Sequence, residues 1–105
     1  MTEGYIIVDG MFFMPKHLPK RDDPVIQPRH PSDHVTMVMM GSVWAVREGE
    51  LGRKYDAPAV IHIPAGVSHS FIALRDDTLL YCIHNLHGEQ MVKVLDEHGL
   101  AEDAA

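Results

Sequence analysis

Short apolar runs alternate with turn signals along most of the chain. The β-branched run at residues 5–8 is followed by Asp9-Gly10, a hairpin signal that predicts residues 11–14 as the partner strand. Further runs at residues 35–40, 42–47, 60–63, 70–74 and 78–84 have the length and composition of strands. Strands at short, regular intervals are typical of a sandwich or barrel. We therefore predict an all-β domain.

Two segments depart from this strand pattern. Residues 15–24 hold Pro15, Pro19 and Pro24 among charged residues, a composition that predicts an extended loop. Near the C-terminus, apolar residues from Met91 to Leu95 recur at helical spacing before Gly99. That pattern predicts a short C-terminal helix over residues 89–98.

Composition limits the class of protein. A chain of 105 residues with 46% hydrophobic residues is enough for one domain with one core, which we take as residues 1–105. The net charge of −6 argues against a nucleic-acid partner. No apolar run is long enough to cross a membrane, and no signal-peptide pattern is evident. The single cysteine, Cys82, fits a reducing compartment, so we expect a cytoplasmic protein.

Two histidine-bearing stretches are the best candidates for chemistry. In residues 61–71, Pro64 and Gly66 reverse the chain, and His69 follows at the start of an apolar run. Residues 27–34 carry His30 and His34 just before the apolar run at 35–40. An imidazole at the head of an apolar strand either has a buried polar partner or binds something.

Together the two stretches resemble the two motifs of the cupin superfamily. The second motif, P-x-G-x-x-H, is matched at Pro64, Gly66 and His69. In the first motif, Gly41 matches the terminal glycine, the interval places His34 at the Glu position and His30 at the second His, and Pro28 replaces the first His. The resemblance covers about residues 25–85. It implies a cupin-type double-stranded β-helix, which is a jelly-roll barrel.

The same resemblance implies a metal site. Cupin sites usually combine three His with one Glu, whereas this chain would offer His30, His34 and His69 without the carboxylate. Gln27, one residue from the vacant first-His position, is predicted to add an amide oxygen. Asp33 is adjacent to His34 and should point the other way. Imidazoles suit several transition metals, so the metal stays open among Fe, Zn, Ni, Mn and Cu.

Alternation along the strands predicts the residues around these ligands. Side chains two apart share a face, so Thr36 and Val38 should lie with His34, and Phe71 with His69. With His62, for which a surface position is an equal alternative, they are the predicted pocket residues. Each imidazole also has a structural interpretation, because one His on a β-face is more often a hydrogen-bonded core residue than a ligand. We interpret the remaining candidates as non-ligands: His84 and His87 as a strand end, and His98 as solvated.

Other residues carry weaker signals. We interpret Met37, Met39 and Met40 as core or dimer packing rather than as copper ligands. Arg29, Arg47 and Arg75 are candidates for binding a substrate carboxylate, but nothing in the sequence places them at the pocket. The apolar surplus of the N-terminal strands, together with the resemblance, predicts a homodimer.

Three functions remain open from the sequence. The first is a mononuclear metal enzyme acting on a small organic molecule, either a dioxygenase or a lyase, with a lean towards the oxygenase. The second is a non-catalytic cupin that binds or senses a small molecule, which the missing first His and Glu favour. The third is a metal-free sugar isomerase or epimerase. We rank it last because such enzymes tend to be longer and no basic phosphate-binding cluster is evident.

Overall fold

The computed structural model describes residues 4–27 and 33–85, and within them the regular elements are β-strands. They are β1 (Ile6–Val8), β2 (Met11–Leu18), β3 (Pro24–Gln27), β4 (His34–Met40), β5 (Ser42–Arg47), β6 (Arg53–Asp56), β7 (Ala59–Ile63), β8 (His69–Ala73) and β9 (Thr78–Asn85). The all-β prediction is confirmed. The helix predicted over residues 89–98 lies outside the described residues. In the part of the chain that is described, no helix is long and apolar enough to span a bilayer.

The strands form two antiparallel sheets. The five-stranded sheet has the order β1-β2-β9-β4-β7, and the four-stranded sheet has the order β3-β8-β5-β6. Strands that follow each other in sequence often lie in different sheets, as β3 and β4 do, and so do β4 and β5, and β8 and β9. This repeated crossing winds the chain as a double-stranded β-helix, the topology that the resemblance implied.

The N-terminal hairpin is confirmed at the predicted turn. Asp9 has φ 48° and Gly10 has φ 75°, and a two-residue turn of type I′ requires positive φ at both central residues. Val8 and Met11 are the first cross-strand pair after that turn.

The loop predicted over residues 15–24 is wrong for its first part. β2 continues through Pro15 to Leu18 and pairs with β9 along its whole length, from Met11–Asn85 to Leu18–Thr78. β1 pairs only with residues 11–13 of β2. Beyond Phe13, β9 is the only strand paired with β2 among the described residues, and a proline without an N–H is tolerated at such an edge position.

The core lies between the inner faces of the two sheets. On β4, Thr36 and Val38 are buried and Met39 is exposed. On β8, Phe71 and Ala73 are buried and Ile72 is exposed. Val38, Ile61, Phe71 and Leu80 belong to one buried cluster that joins the sheets. Burying each such side chain is worth about 1.5–3 kcal/mol, so this cluster is the main support of the fold.

Gly41 marks the crossing from β4 to β5. Its φ is +81°, and a Cβ there would lie 2.9 Å from Thr78 Cα. Both the left-handed backbone and the close approach to β9 require glycine. This position is the terminal glycine of the first motif, so the structure supplies a physical reason for that glycine.

Candidate functional site

Two buried imidazoles begin the strands that the motifs introduce. His34 opens β4 in the five-stranded sheet, with 4% of its surface exposed, and His69 opens β8 in the four-stranded sheet, with 2% exposed. His34 shares the inner face of β4 with Thr36 and Val38, and His69 shares that of β8 with Phe71. Each sheet therefore contributes one motif histidine to the interior of the barrel.

The His69 ring is fixed by the turn that precedes it. Gly66 has φ +75°, and Val67 N–H donates to the Pro64 carbonyl over 3.3 Å. The Val67 carbonyl lies 3.2 Å from His69 Nδ1. Because a carbonyl can only accept, Nδ1 carries the proton in this contact, and Nε2 of the neutral ring is the nitrogen with the lone pair. Metal-ligating histidines are commonly oriented by such a contact to a backbone carbonyl.

His84 belongs to the same interior, which the sequence interpretation missed. Its ring stacks on that of His34, with centroids 4.2 Å apart and planes 16° from parallel, and only 1% of its surface is exposed. The interpretation of His84 as a strand end fits β9, which ends at Asn85, but β9 pairs with β2 on one side and β4 on the other, so this end of the strand is buried. Its even spacing from Leu80 and Cys82, both buried, was the sequence signal for an inward position.

The Asp33 carboxylate contacts the exposed His62 and the turn before β8. Its carboxylate accepts the Ala65 N–H over 2.7 Å and lies 3.3 Å from His62 Nε2. The Ala65 N–H holds the pKa of Asp33 below its usual value of 3.8, with His62 as the second cause. Asp33 thus ties the start of β4 to the turn before β8, so it joins the two motif segments instead of acting as a ligand.

The other predicted site residues fall into three groups. Thr36, Val38 and Phe71 are fully buried on inner faces. His62, predicted to line the pocket, lies on the outer face of β7 with 61% of its side chain exposed, since it alternates with buried Ile61 and Ile63. Gln27 pairs with His69 in the β3–β8 register, and His30 lies outside the described residues.

The buried imidazole nitrogens are chemically suited to a transition metal, although the described residues do not form a complete metal site. Among residues 4–27 and 33–85, no group of three His, Cys, Asp or Glu side chains is arranged to hold a metal ion. The buried titratable groups there, apart from the Cys82 thiol, are the imidazoles of His34, His69 and His84, and no Asp or Glu side chain of the described residues is buried. Buried nitrogen donors suit Fe, Zn, Ni and Cu. A metal site built from three such side chains would include at least one residue outside these ranges.

The comparisons with known proteins support the fold. No family model matches the chain. No curated protein matches it. Among solved structures, a cupin-2 domain protein from Shewanella frigidimarina NCIMB 400 is 17% identical with a TM-score of 0.60, and the match covers 81% of this chain and 82% of that one. An RmlC-like cupin family protein with a double-stranded β-helix fold, from Methanocaldococcus jannaschii, is 13% identical with a TM-score of 0.68, over 82% and 79%.

These likenesses establish the class of architecture: the chain has the cupin fold. Among cupin-fold proteins of known structure, it is also similar to an enzyme with a named metal. Iron(II) HppE in complex with its substrate is 13% identical with a TM-score of 0.63, over 80% of this chain and 54% of that one. At such identities the likeness concerns the fold, and the function has to be argued from this chain's own residues.

Proposed function

We propose that this chain is a small metal-binding cupin that acts on a small organic molecule. His34 and His69 are two of the metal ligands, and His30 and Gln27, taken from the first motif, complete the set. The observation that carries the proposal is the burial and orientation of the His69 ring. The ring is buried inside the barrel, and because Nδ1 contacts the Val67 carbonyl, the lone pair that can bind a metal is on Nε2.

The surrounding residues suit such a centre. Phe71, Val38 and Ile61 form part of the apolar core next to the motif strands and exclude water. When bound, iron at this site supplies oxygen chemistry, and zinc or nickel supplies Lewis acidity. The imidazole ligands are neutral, so they do not compensate the charge of a divalent ion. A site of this kind favours an anionic ligand or substrate.

His84 has a positioning role in this proposal. Its ring lies parallel to that of His34 and restricts the orientation that His34 can adopt. Replacing His84 with Phe keeps a stacked ring while removing the ring nitrogens, so this variant separates stacking from coordination. Retained metal in His84→Phe supports positioning, and lost metal makes His84 a ligand.

The test of the metal site is elemental analysis of freshly purified protein and of protein after titration with iron(II), nickel or zinc. We expect near-stoichiometric metal in the wild type and a loss of most of it in His69→Ala. The matched control is His17→Ala, because His17 is an exposed β2 residue whose ring contacts the Asp77 carboxylate and not the barrel interior. Equal metal content in the wild type and in folded His69→Ala would refute the site.

A non-catalytic binding cupin is the second candidate. It is favoured by one observation: among the described residues, no Asp or Glu side chain is buried and no group of three His, Cys, Asp or Glu side chains is arranged to hold a metal. If metal-stripped protein binds small molecules as tightly as metal-loaded protein, and the metal-loaded form turns none of them over, this second candidate replaces the first. Nothing in the described site adds support for the sugar isomerase alternative.

A homodimer in the cytoplasm is also part of the proposal. The outer face of the five-stranded sheet carries an apolar groove of about 370 Å³. Its lining residues are Ile6, Val8, Phe13, Met37, Met39, Tyr81 and Ile83. An uncharged surface on a protein of net charge −6 suits a second copy of the chain. Cys82 is buried, which suits a reducing compartment.

A further inference from the structure

A second, polar pocket lies on the inner side of the four-stranded sheet. It measures about 150 Å³ and is separate from the apolar groove of the other sheet. Ala45, Leu51 and Ile61 supply the apolar lining, and the polar lining is supplied by Arg47, Glu50, Arg53 and Tyr55. The sequence did not place any arginine at a pocket, whereas the strand register does.

Strand pairing fixes the side on which these residues lie. Arg53 of β6 pairs with Ala45 of β5, and Tyr55 pairs with Val43. Ala45 and Val43 are both buried, so their cross-strand partners belong to the same inner face. Arg47 pairs with His69 in the β5–β8 register. The pocket therefore adjoins the strand position of the motif histidine.

The charges of the pocket do not cancel. Arg47 Nε lies 2.6 Å from Glu50 Oε2, which neutralises one guanidinium. The Arg53 guanidinium lies 5.2 Å from the centre of the Tyr55 ring, and no carboxylate pairs with it in the described part of the chain. Stacking on an aromatic ring orients a guanidinium while leaving its N–H donors directed outwards. One positive charge thus remains in the pocket of an acidic protein.

We propose that this pocket binds the carboxylate of a small organic anion, with Arg53 as the main contact and Arg47 as a second donor. Guanidinium groups recognise carboxylates through paired N–H donors. Ligand pockets for drug-sized molecules are about 300–1,000 Å³, so this smaller pocket suits an acid of a few carbon atoms. Treating that acid as the substrate rests on the proposed function, but its binding does not require the metal.

The experiment is calorimetric titration of chelator-treated protein with acetate, malonate, succinate and glutarate. Succinamide is the uncharged control for succinate, and inorganic phosphate is the competing anion. We expect at least one carboxylate to bind about tenfold or more tightly than succinamide and phosphate. Arg53→Gln should weaken that binding at least tenfold, with Arg53→Lys intermediate because the paired donors are lost. Arg75→Gln, an exposed arginine in the turn between β8 and β9, is the matched control and should change affinity less than twofold.

The outcomes separate this inference from the metal site. If no carboxylate binds better than succinamide, or if folded Arg53→Gln binds as well as the wild type, the inference is overturned. Phosphate binding as tight as that of the carboxylates, and equally dependent on Arg53, overturns the carboxylate assignment. Arg53-dependent carboxylate binding in a protein whose metal content is insensitive to His69→Ala refutes the metal proposal and leaves the inference standing.

Discussion

Gly41 combines a left-handed backbone conformation with a close approach to the backbone of another strand. Its positive φ costs a non-glycine residue roughly 1–2 kcal/mol, and a Cβ would also collide with the backbone of Thr78, 2.9 Å from its Cα. We predict that Gly41→Ala lowers the free energy of unfolding by about 3 kcal/mol or more, measured by urea denaturation.

Gly49 provides the matched control for this prediction. Its φ is +79°, almost that of Gly41, but a Cβ there would meet nothing within 4 Å. Gly49→Ala should therefore cost only the backbone contribution of roughly 1–2 kcal/mol. Equal losses in the two variants would show that the approach of Thr78 to Gly41 contributes nothing.

At the residue scale, the sequence indicated His34 and His69 because both lie at motif spacings ahead of apolar runs. Their burial in facing sheets agrees with that pattern. His84 was missed for a physical reason: its inward position depends on β9 staying regular to Asn85, and that regularity comes from pairing with strands distant in sequence. The residues of a strand do not by themselves reveal whether the end of that strand is paired with distant strands.

At the scale of elements, Asp56 links the end of β6 to the start of β5. The Ser42 hydroxyl donates to Asp56 Oδ1 over 2.5 Å, and Ser42 is almost fully buried. That hydrogen bond is the largest cause holding the pKa of Asp56 below its usual value of 3.8, and Lys54 adds a further charge effect. The ionised carboxylate is therefore favoured more in the folded than in the unfolded chain.

This linkage predicts a pH dependence of stability. Because the folded-state pKa is lowered, the contribution is present above pH 3.8 and is lost as pH falls through the lower folded-state value. The melting temperature of the wild type should exceed that of Ser42→Ala near neutral pH, and the gap should narrow below about pH 4. The difference in melting temperature between the wild type and Lys54→Gln should narrow much less over the same pH range. A gap that stays constant from pH 7 to pH 3 would contradict the assigned cause.

The strands illustrate what the sequence could predict about elements. β5, β7 and β8 agree closely with apolar runs between turn signals, because burial of one face imposes alternation on each strand by itself. The predicted strand at β2 ended too early, at residue 14, because Pro15 was interpreted as a strand breaker. Whether a proline fits depends on which sides of the strand are bordered, and that depends on the length of β1.

At the scale of the whole molecule, sheet order was not readable from local patterns. The order β1-β2-β9-β4-β7 joins strands from opposite ends of the chain, and only the resemblance between the motif pair and cupins predicted that arrangement. The topology also places the two motif segments side by side, through Asp33 and Ala65. No single segment contains the candidate site, since it arises from the closure of the fold.

The outer surface leads to the last prediction. None of the described residues that line the apolar groove is charged, whereas each chain carries a net charge of −6. Association through the groove gains hydrophobic free energy and must overcome repulsion between two acidic copies. We predict a dimer at micromolar concentration whose dissociation constant falls as salt rises, because salt screens the repulsion and leaves the apolar contact intact.

Sedimentation of two variants, each with one added negative charge, tests both the oligomeric state and whether the apolar groove is the dimer interface. Met39 lines the groove and is 45% exposed, whereas Ile26 lies on the other sheet and is 78% exposed. Met39→Glu places a carboxylate in the groove of each copy, so it should shift the protein to a monomer. Ile26→Glu adds the same charge outside the groove and should leave the dimer in place. A monomeric wild type would rule out the dimer, and a monomer caused equally by both variants would mean that overall charge, not the groove, controls association.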